Sequence, residues 1–235
     1  VKLTAAGEEF AESARLIMRE LDTARARVES VTGLIAGRLD MSSLPGLLLD
    51  PLAPAIGRFR GRHPKVRVRI LQAETPQAVR DAVRAGEAEL GLTDEPEEPG
   101  REVLSELIME QEMVAVLPPG TPRPPGGVLP LAELLAMNLV TGPPGTAIRD
   151  FLTAEGARIG LDVNPTVEVT PRGSTLYLAM AGAGVAMLPR PVAELGLAHG
   201  AEIAALHPSQ TRQVYLLRRA APLSPAARAI RALLS

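Results

Sequence analysis

Residues 66–93 read VRVRILQAETPQAVRDAVRAGEAELGLT, and three elements follow from that stretch alone. Val66 to Leu71 alternates valine with arginine before turning apolar, the pattern of a strand. Thr75-Pro76 is a helix start: a capping hydroxyl, then proline at the first helical position, where its missing N–H has no partner to lose. That helix runs to about Ala85 and stops at Gly86. Glu89 to Thr93 is then a second strand. Arg38 to Ser43 supplies a strand ahead of this unit, and Leu47 to Arg62 a helix. Strand, helix, strand, helix, strand is the grammar of a doubly wound parallel sheet.

The same grammar returns further on. After the acidic loop Asp94 to Gly100 come strands near Val103–Ile108 and Met113–Leu117. Pro118 to Pro130 holds six prolines and three glycines, too many for either regular element, and reads as a loop. From Asn138 the alternation resumes: strand Asn138–Thr141, a helix from Thr146, strand Thr166–Val169 and a helix from about Ser174. Gly184–Leu188 and Gln213–Leu217 add strands, and Ser224 to Leu234 closes with a helix. Two βα series joined by one hinge-like region predict an α/β fold of two similar Rossmann-like lobes facing each other across a cleft.

A different period governs the amino end. Phe10, Ala14, Ile17, Leu21, Ala24, Val28, Val31 and Ile35 recur every fourth and third residue in turn, a heptad seam of the kind that packs one helix along another. Thr4 is placed to cap that helix. A helix of about 30 residues is roughly 45 Å long, too long to fold back on a small domain. The seam is therefore expected to pair with a second copy of the chain.

Composition narrows the function classes. Apolar residues make up 46% of the chain but aromatics only 2%, so the core must be built from Leu, Val, Ala and Ile. There is no cysteine, which removes disulfides and thiolate chemistry. The net charge of −2 makes the chain as a whole a poor electrostatic match for nucleic acid. No apolar run approaches the roughly 20 residues of a membrane span, and the amphipathic, acid-bearing amino end is unlike a signal peptide. A cytoplasmic location is expected. His63, His199 and His207 are scattered, and no spacing suits a metal, a P-loop, a dinucleotide fingerprint or a nucleophile–base pair. No catalytic residue, metal or cofactor is expected.

What stands out instead is small polar residues at strand ends. Ser42 and Ser43 end the first strand, Thr93 the third, and Thr141 the strand at 138. Gly145-Thr146 opens the next helix, and Ser174 and Thr175 open another after Gly173. Ligands of open parallel sheets bind beyond the carboxyl ends of the strands, where helix N-termini favour an anion. Uncharged hydroxyls would add hydrogen bonds without fixing a charge, so a small carboxylate or similarly polar metabolite is the expected ligand. The competing reading is that each residue merely caps a helix or ends a strand. Arg149 is placed either to reach an anion or to pair with an acid, and Asp94, Glu95, Glu97 and Glu98 are expected to form a solvated charged loop.

Leu3-Thr4-Ala5-Ala6-Gly7, followed by Phe10 and Ala14, resembles the linker-helix opening L-T-x-A-G of LysR-type transcriptional regulators. Gly37-Arg38-Leu39 resembles the start of their effector domain, and Phe59 to Pro64 with Val66 their F-x-x-x-x-P-x-V. Gly86 with Glu89-Leu90-Gly91-Leu92 stands where they have G-x-x-D-L-A-I, and Ala181 to Pro189 is close to A-G-x-G-I-A-x-L-P. Glu89 replaces the usual aspartate and Gly91 the usual alanine; little effect is expected from either.

The resemblance implies a linker helix over 1–36, one effector-domain lobe from 37–109 with 221–235, and a second from 110–220, folded as in type 2 periplasmic binding proteins. It also implies a winged helix-turn-helix ahead of Leu3, which these residues do not include, so promoter DNA is expected to be bound only through that module. The effector is expected between the lobes, at Ser42, Ser43, Leu44, Thr93, Thr141, Gly142, Gly145, Thr146 and Ser174. The linker residues Phe10, Ala14, Ile17, Leu21, Ala24, Val28 and Val31 are expected to join subunits as a homodimer or tetramer. A transporter's solute-binding protein shares the lobed architecture, but the heptad arm and the unlike amino end argue against it.

Overall fold

Strand β1 (Gly37–Ser43) lies parallel to β2 (Val66–Gln72), with Gly37 opposite Val66 and Ser43 opposite Gln72. On its other side it lies parallel to β3 (Leu90–Thr93), with Ser42 opposite Gly91. These contacts come from a computed structural model, which describes residues 4, 6, 7, 10, 13, 14, 17, 20, 21, 24, 37–97, 102–170 and 172–234. Helix α1 (Ala53–Arg62) connects β1 to β2, and α2 (Pro76–Arg84) connects β2 to β3. The Thr75 hydroxyl accepts the Ala78 N–H at 3.2 Å, the capping bond expected of it.

The chain divides into two compact units, residues 1–109 with 213–235, and residues 110–212. It passes between them inside two long strands, β4 (Val103–Leu117) and β9 (Glu202–Arg219). The sequence reading splits β4 into two strands, starts the last strand at Gln213 and returns to the first lobe at 221. The structure keeps each strand continuous and makes the return at Gln213. Polar residues such as Glu110 and Gln111 interrupt the apolar pattern without ending the strand.

In the first unit β9 joins β3 antiparallel, with Leu90 opposite Arg218, so the sheet is mixed and not purely parallel. β9 arrives as a strand, without the crossover helix that parallel alignment requires. The helix α7 (Pro225–Leu234) closes this unit. Its core contains Leu39, Met41, Leu52, Phe59, Val79, Val83, Leu90, Leu92, Leu216 and Ile230, all buried from solvent.

The second unit contains β5 (Val128–Pro130), α3 (Leu131–Leu135), β6 (Val140–Thr141), α4 (Ala147–Arg158), β7 (Val167–Glu168), α5 (Thr175–Met180), β8 (Ala186–Pro189) and α6 (Arg190–Glu194). Alternation along β4 feeds two separate cores. Met113, Ala115 and Leu117 join one with Leu134, Leu152 and Met187, while Val114 and Val116 join the other with Leu176, Ala186 and Val192. β5 lies within the proline-rich stretch expected to be loop, and pairs parallel with β9 from Val128 opposite Ala205. Its three residues are too few to register as a strand in the sequence.

One helix is broken where the sequence reading makes it continuous. Between Leu47 and Ala53 the chain passes through a wider turn in which Asp50 is extended, at φ −147° and ψ 126°. Pro51 causes this, because its ring disfavours a helical conformation in the residue before it and it has no N–H to donate.

At the amino end Phe10, Ala14, Ile17, Leu21 and Ala24 are all helical, and the Thr4 hydroxyl accepts the Gly7 N–H at 3.2 Å. Val28 and Val31 lie outside the described residues. No helix among the described residues is long and apolar enough to cross a membrane.

Candidate functional site

The carboxyl end of β1 is set by its two neighbours. Ala73 N–H donates to Ser43 O at 3.0 Å from the β2 side, and Leu44 N–H to Leu92 O at 3.3 Å from the β3 side. Ser42, Ser43 and Thr93 are fully buried there, and Leu44 nearly so. Neighbouring residues of a strand point to opposite faces. Ser42 is in register with Gly91, above which α2 sits closely enough that a Cβ on Gly91 would lie 2.7 Å from Val79 Cγ1. The Ser42 side chain therefore lies on the α2 face and Ser43 on the other. Ser43 Oγ donates to Leu44 O at 3.0 Å, and Thr93 Oγ1 accepts the Glu95 N–H at 3.3 Å. The Ser42 hydroxyl has no hydrogen-bond partner among the described residues.

In the second unit the corresponding edge is the end of β6. Thr141 is 3% exposed, Gly142 is buried, and β7 secures the pair through Val169 N–H donating to Thr141 O at 3.0 Å. α5 packs against β6, and Ser174 stands at the N-cap of α5. The strand β8 reaches the edge because of Gly184. A Cβ there would lie 2.3 Å from Asn138 O, and its absence lets Val185 N–H donate to Asn138 O at 2.7 Å. That contact is the physical content of the Ala181–Pro189 motif.

Thr146 stands at the N-cap of α4 but does not cap it with its side chain. Its hydroxyl donates to Pro143 O at 2.8 Å, and Asp150 in the first turn of α4 accepts the Gly145 N–H at 2.9 Å. Among the described residues Arg149 neither reaches into this loop nor pairs with an acid. Its Nη1 donates to Val163 O at 2.9 Å, pinning α4 to the turn that follows it.

The loop after β3 departs from the expectation of a wholly solvated acidic run. Glu95 is exposed, but Glu97 is buried, and Arg80 of α2 lies 2.7 Å from Glu95 and 3.3 Å from Glu97. Ser105 of β4 accepts the Glu97 N–H at 3.0 Å. Arg80 supplies the charge that makes burial of Glu97 tolerable; Glu98 lies outside the described residues.

Glu89, expected to begin a strand, stands one residue ahead of β3. It anchors the cap of α7 through Ser224, and burial pushes its carboxyl above the usual carboxylate range against the pull of the Ser224 hydrogen bonds. Gly91 likewise matters, since it is what admits Val79 and Val83. Among the described residues no cluster of three His, Cys, Asp or Glu side chains is arranged to hold a metal.

The family model described as LysR substrate binding domain matches residues 32–235, and the chain belongs to that family. It is 29% identical over 190 residues to a probable HTH-type transcriptional regulator, LrrA, of Synechococcus elongatus, covering 80% of this chain and 62% of the relative. To the HTH-type transcriptional regulator IlvY of Escherichia coli it is 25% identical over 207 residues, covering 83% and 65%. The chain thus spans less than two thirds of the length of these curated relatives. Full-length BenM has the same fold over 100% of this chain and 78% of its own, with a TM-score of 0.70 and 18% identity. The BenM effector-binding domain, solved with its effector benzoate, matches at 0.67 and 17% identity over 84% of this chain and 90% of its own. The fold is that of the two-lobed, type 2 periplasmic-binding-protein-like effector domains.

Proposed function

We propose that this chain is the metabolite-sensing part of a LysR-type transcriptional regulator. The strand-end residues Ser42, Ser43, Leu44 and Thr93 of one unit, with Thr141, Gly142, Gly145, Thr146 and Ser174 of the other, bind a small polar or anionic metabolite. The observation that carries this is the buried polar edge of each unit, above all Ser42, whose fully buried hydroxyl has no partner in the described protein. A buried hydroxyl without a hydrogen bond costs about 1–3 kcal/mol, a cost that a ligand group relieves. The relatives named as transcriptional regulators and a BenM domain solved with benzoate support the reading.

Binding acts by population shift: the metabolite favours one arrangement of the regulator over another, and can move that equilibrium only by as much as its affinities for the two differ. Subunits pair through the seam of Phe10, Ala14, Ile17, Leu21 and Ala24, together with Val28 and Val31. In the intact regulator this pairing sets the spacing of DNA-binding modules. A thermal-unfolding screen of this chain against carboxylates, sugar phosphates and amino acids tests the sensor. A ligand present at a hundredfold excess over its Kd stabilises by about 2.7 kcal/mol. The expected hit is lost on Thr141→Val and on Ser174→Ala without loss of fold. A hit that survives both substitutions places the site elsewhere.

A further inference from the structure

Residues 141–150 have the outline of an anion cradle, a glycine loop leading into the twelve-residue helix α4, yet three of the donors that could serve it are already engaged. The Gly145 N–H goes to Asp150 Oδ1 at 2.9 Å. The Thr146 hydroxyl goes to Pro143 O at 2.8 Å. Arg149, the one cation in this segment, turns away to Val163 O at 2.9 Å. A helix N-terminus is equivalent to roughly +0.5 of an elementary charge, while an ionised Asp150 brings a full negative charge to the same turn. At the Gly145 N–H itself the nearest charge is therefore the negative one of Asp150.

We propose that Asp150 is a selectivity residue: it serves α4 as a built-in anion, so this end of the site takes an uncharged or hydrogen-donating part of the effector and disfavours a carboxylate or phosphate. The proposal rests on the reading that the strand-end residues bind the effector, and it adds the polarity in which the effector lies. Any acidic group of the effector is directed away from Gly145 and Thr146. The groups that suit this end are a hydroxyl, an amide N–H or an ammonium, each able to donate to Thr146 Oγ1, whose own proton is committed to Pro143, or to Asp150 itself.

Amide NMR spectra of the chain in sodium phosphate, against sodium chloride of equal ionic strength, test this with inorganic phosphate as the probe. Asp150→Asn keeps an acceptor for Gly145 and removes the charge; Asp150→Ala frees the N–H as well. The wild-type resonances of Gly145, Thr146 and Ala147 are expected to be the same in both salts. In Asp150→Asn they move with phosphate, with affinity raised roughly two- to fivefold, the effect of one charge at an exposed helix end; in Asp150→Ala they move further. Saturable phosphate shifts at Gly145 in the wild type overturn the proposal, as does an Asp150→Ala variant as indifferent as the wild type. Metabolite titrations in the same spectra separate the two readings. A carboxylate effector that shifts Gly145 as well as Thr141 defeats the selectivity proposal and leaves the site standing. If no metabolite moves Ser43, Thr93 or Thr141, the site reading fails, while the phosphate comparison still decides the role of Asp150.

Discussion

Glu89 holds Ser224 with both carboxylate oxygens: Oε1 accepts the Ser224 N–H at 2.6 Å and Oε2 accepts its hydroxyl at 2.8 Å. Ser224 Oγ in turn accepts the Ala227 N–H at 3.1 Å, so a residue one position ahead of β3 fixes the first turn of α7. Glu89→Ala leaves the Ser224 N–H without its partner and is expected to lower stability by about 2 kcal/mol. Because Ala226, Ala227 and Ile230 of α7 belong to the core of the first unit, urea unfolding should show the loss in that unit's own transition. An unchanged midpoint would mean that water replaces the carboxylate at no cost.

The same carboxyl gives a pH dependence of defined sign. Burial raises its pKa in the folded chain from 4.5, so over the window above 4.5 the folded state holds more protons than the unfolded state. Stability from this group therefore falls as pH rises through that window. Glu106 and Glu112 act the other way. The hydrogen bonds of Arg231 to Glu106 and of Arg190 to Glu112 lower their pKa values, and their contribution is lost as pH falls through the lowered values. Both pairs are partly exposed, so solvent screening keeps that effect small. Urea midpoints measured from acid to neutral pH should show Glu89→Gln gaining on the wild type as pH rises. A constant difference between the two would contradict the buried, proton-retaining Glu89.

Gly91→Ala restores the residue usual in proteins that this motif resembles, and is expected to harm this one. The added Cβ would meet Val79 Cγ1 at 2.7 Å and Val83 Cγ2 at 2.9 Å, and neither short, branched side chain can swing clear. Overpacking of this kind costs about 1–3 kcal/mol. A compensating Val79→Ala in the Gly91→Ala background should recover part of the loss. If the pair is no better than the single variant, the clash is not the cause.

Much of the first unit was legible because its local signals agree with its packing. The Thr75-Pro76 start, the valine–arginine alternation of β2 and the glycine stop of α2 all mark the elements that formed. Pro51 is equally visible in the sequence, and its backbone constraint, not the apolar run around it, decides the local conformation. β4 and β9 were shortened for a different reason: apolarity reports burial, and strands that pass from one unit to the next carry polar residues in mid-course. At the candidate site, strand ends were legible and hydroxyl partners were not. That Thr146 serves Pro143, and that Asp150 reaches back to Gly145, depends on loop geometry that no periodicity encodes.

Ser42→Ala separates a structural hydroxyl from a sensing one. Nothing among the described residues bonds the Ser42 hydroxyl, so removing it costs the folded chain no hydrogen bond and spares it an unsatisfied buried group. Stability without ligand should be unchanged or raised, by at most the roughly 1–3 kcal/mol that an unsatisfied buried hydroxyl costs, as read from thermal midpoints. If Ser42 contributes to effector binding, the same variant loses the ligand-induced rise in midpoint. A variant that is destabilised without ligand would instead reveal a buried water or other partner that Ser42 serves in the apo protein.

The seam at the amino end makes the clearest prediction about assembly. Phe10, Ile17 and Leu21 lie on a helix and are 75%, 69% and 43% exposed in a single chain, and none belongs to a core cluster of either unit. Burying an isoleucine against a partner contributes about 1.5–3 kcal/mol, and a glutamate in its place adds a desolvation cost. Ile17→Glu should therefore weaken self-association more than tenfold while leaving the urea unfolding of the two units unchanged. Sedimentation equilibrium over a range of concentrations reads this directly. A variant that keeps the mass of the wild type would move the subunit contact off the helix, to a surface such as the exposed Tyr177, Leu195 and Leu197 of the second unit.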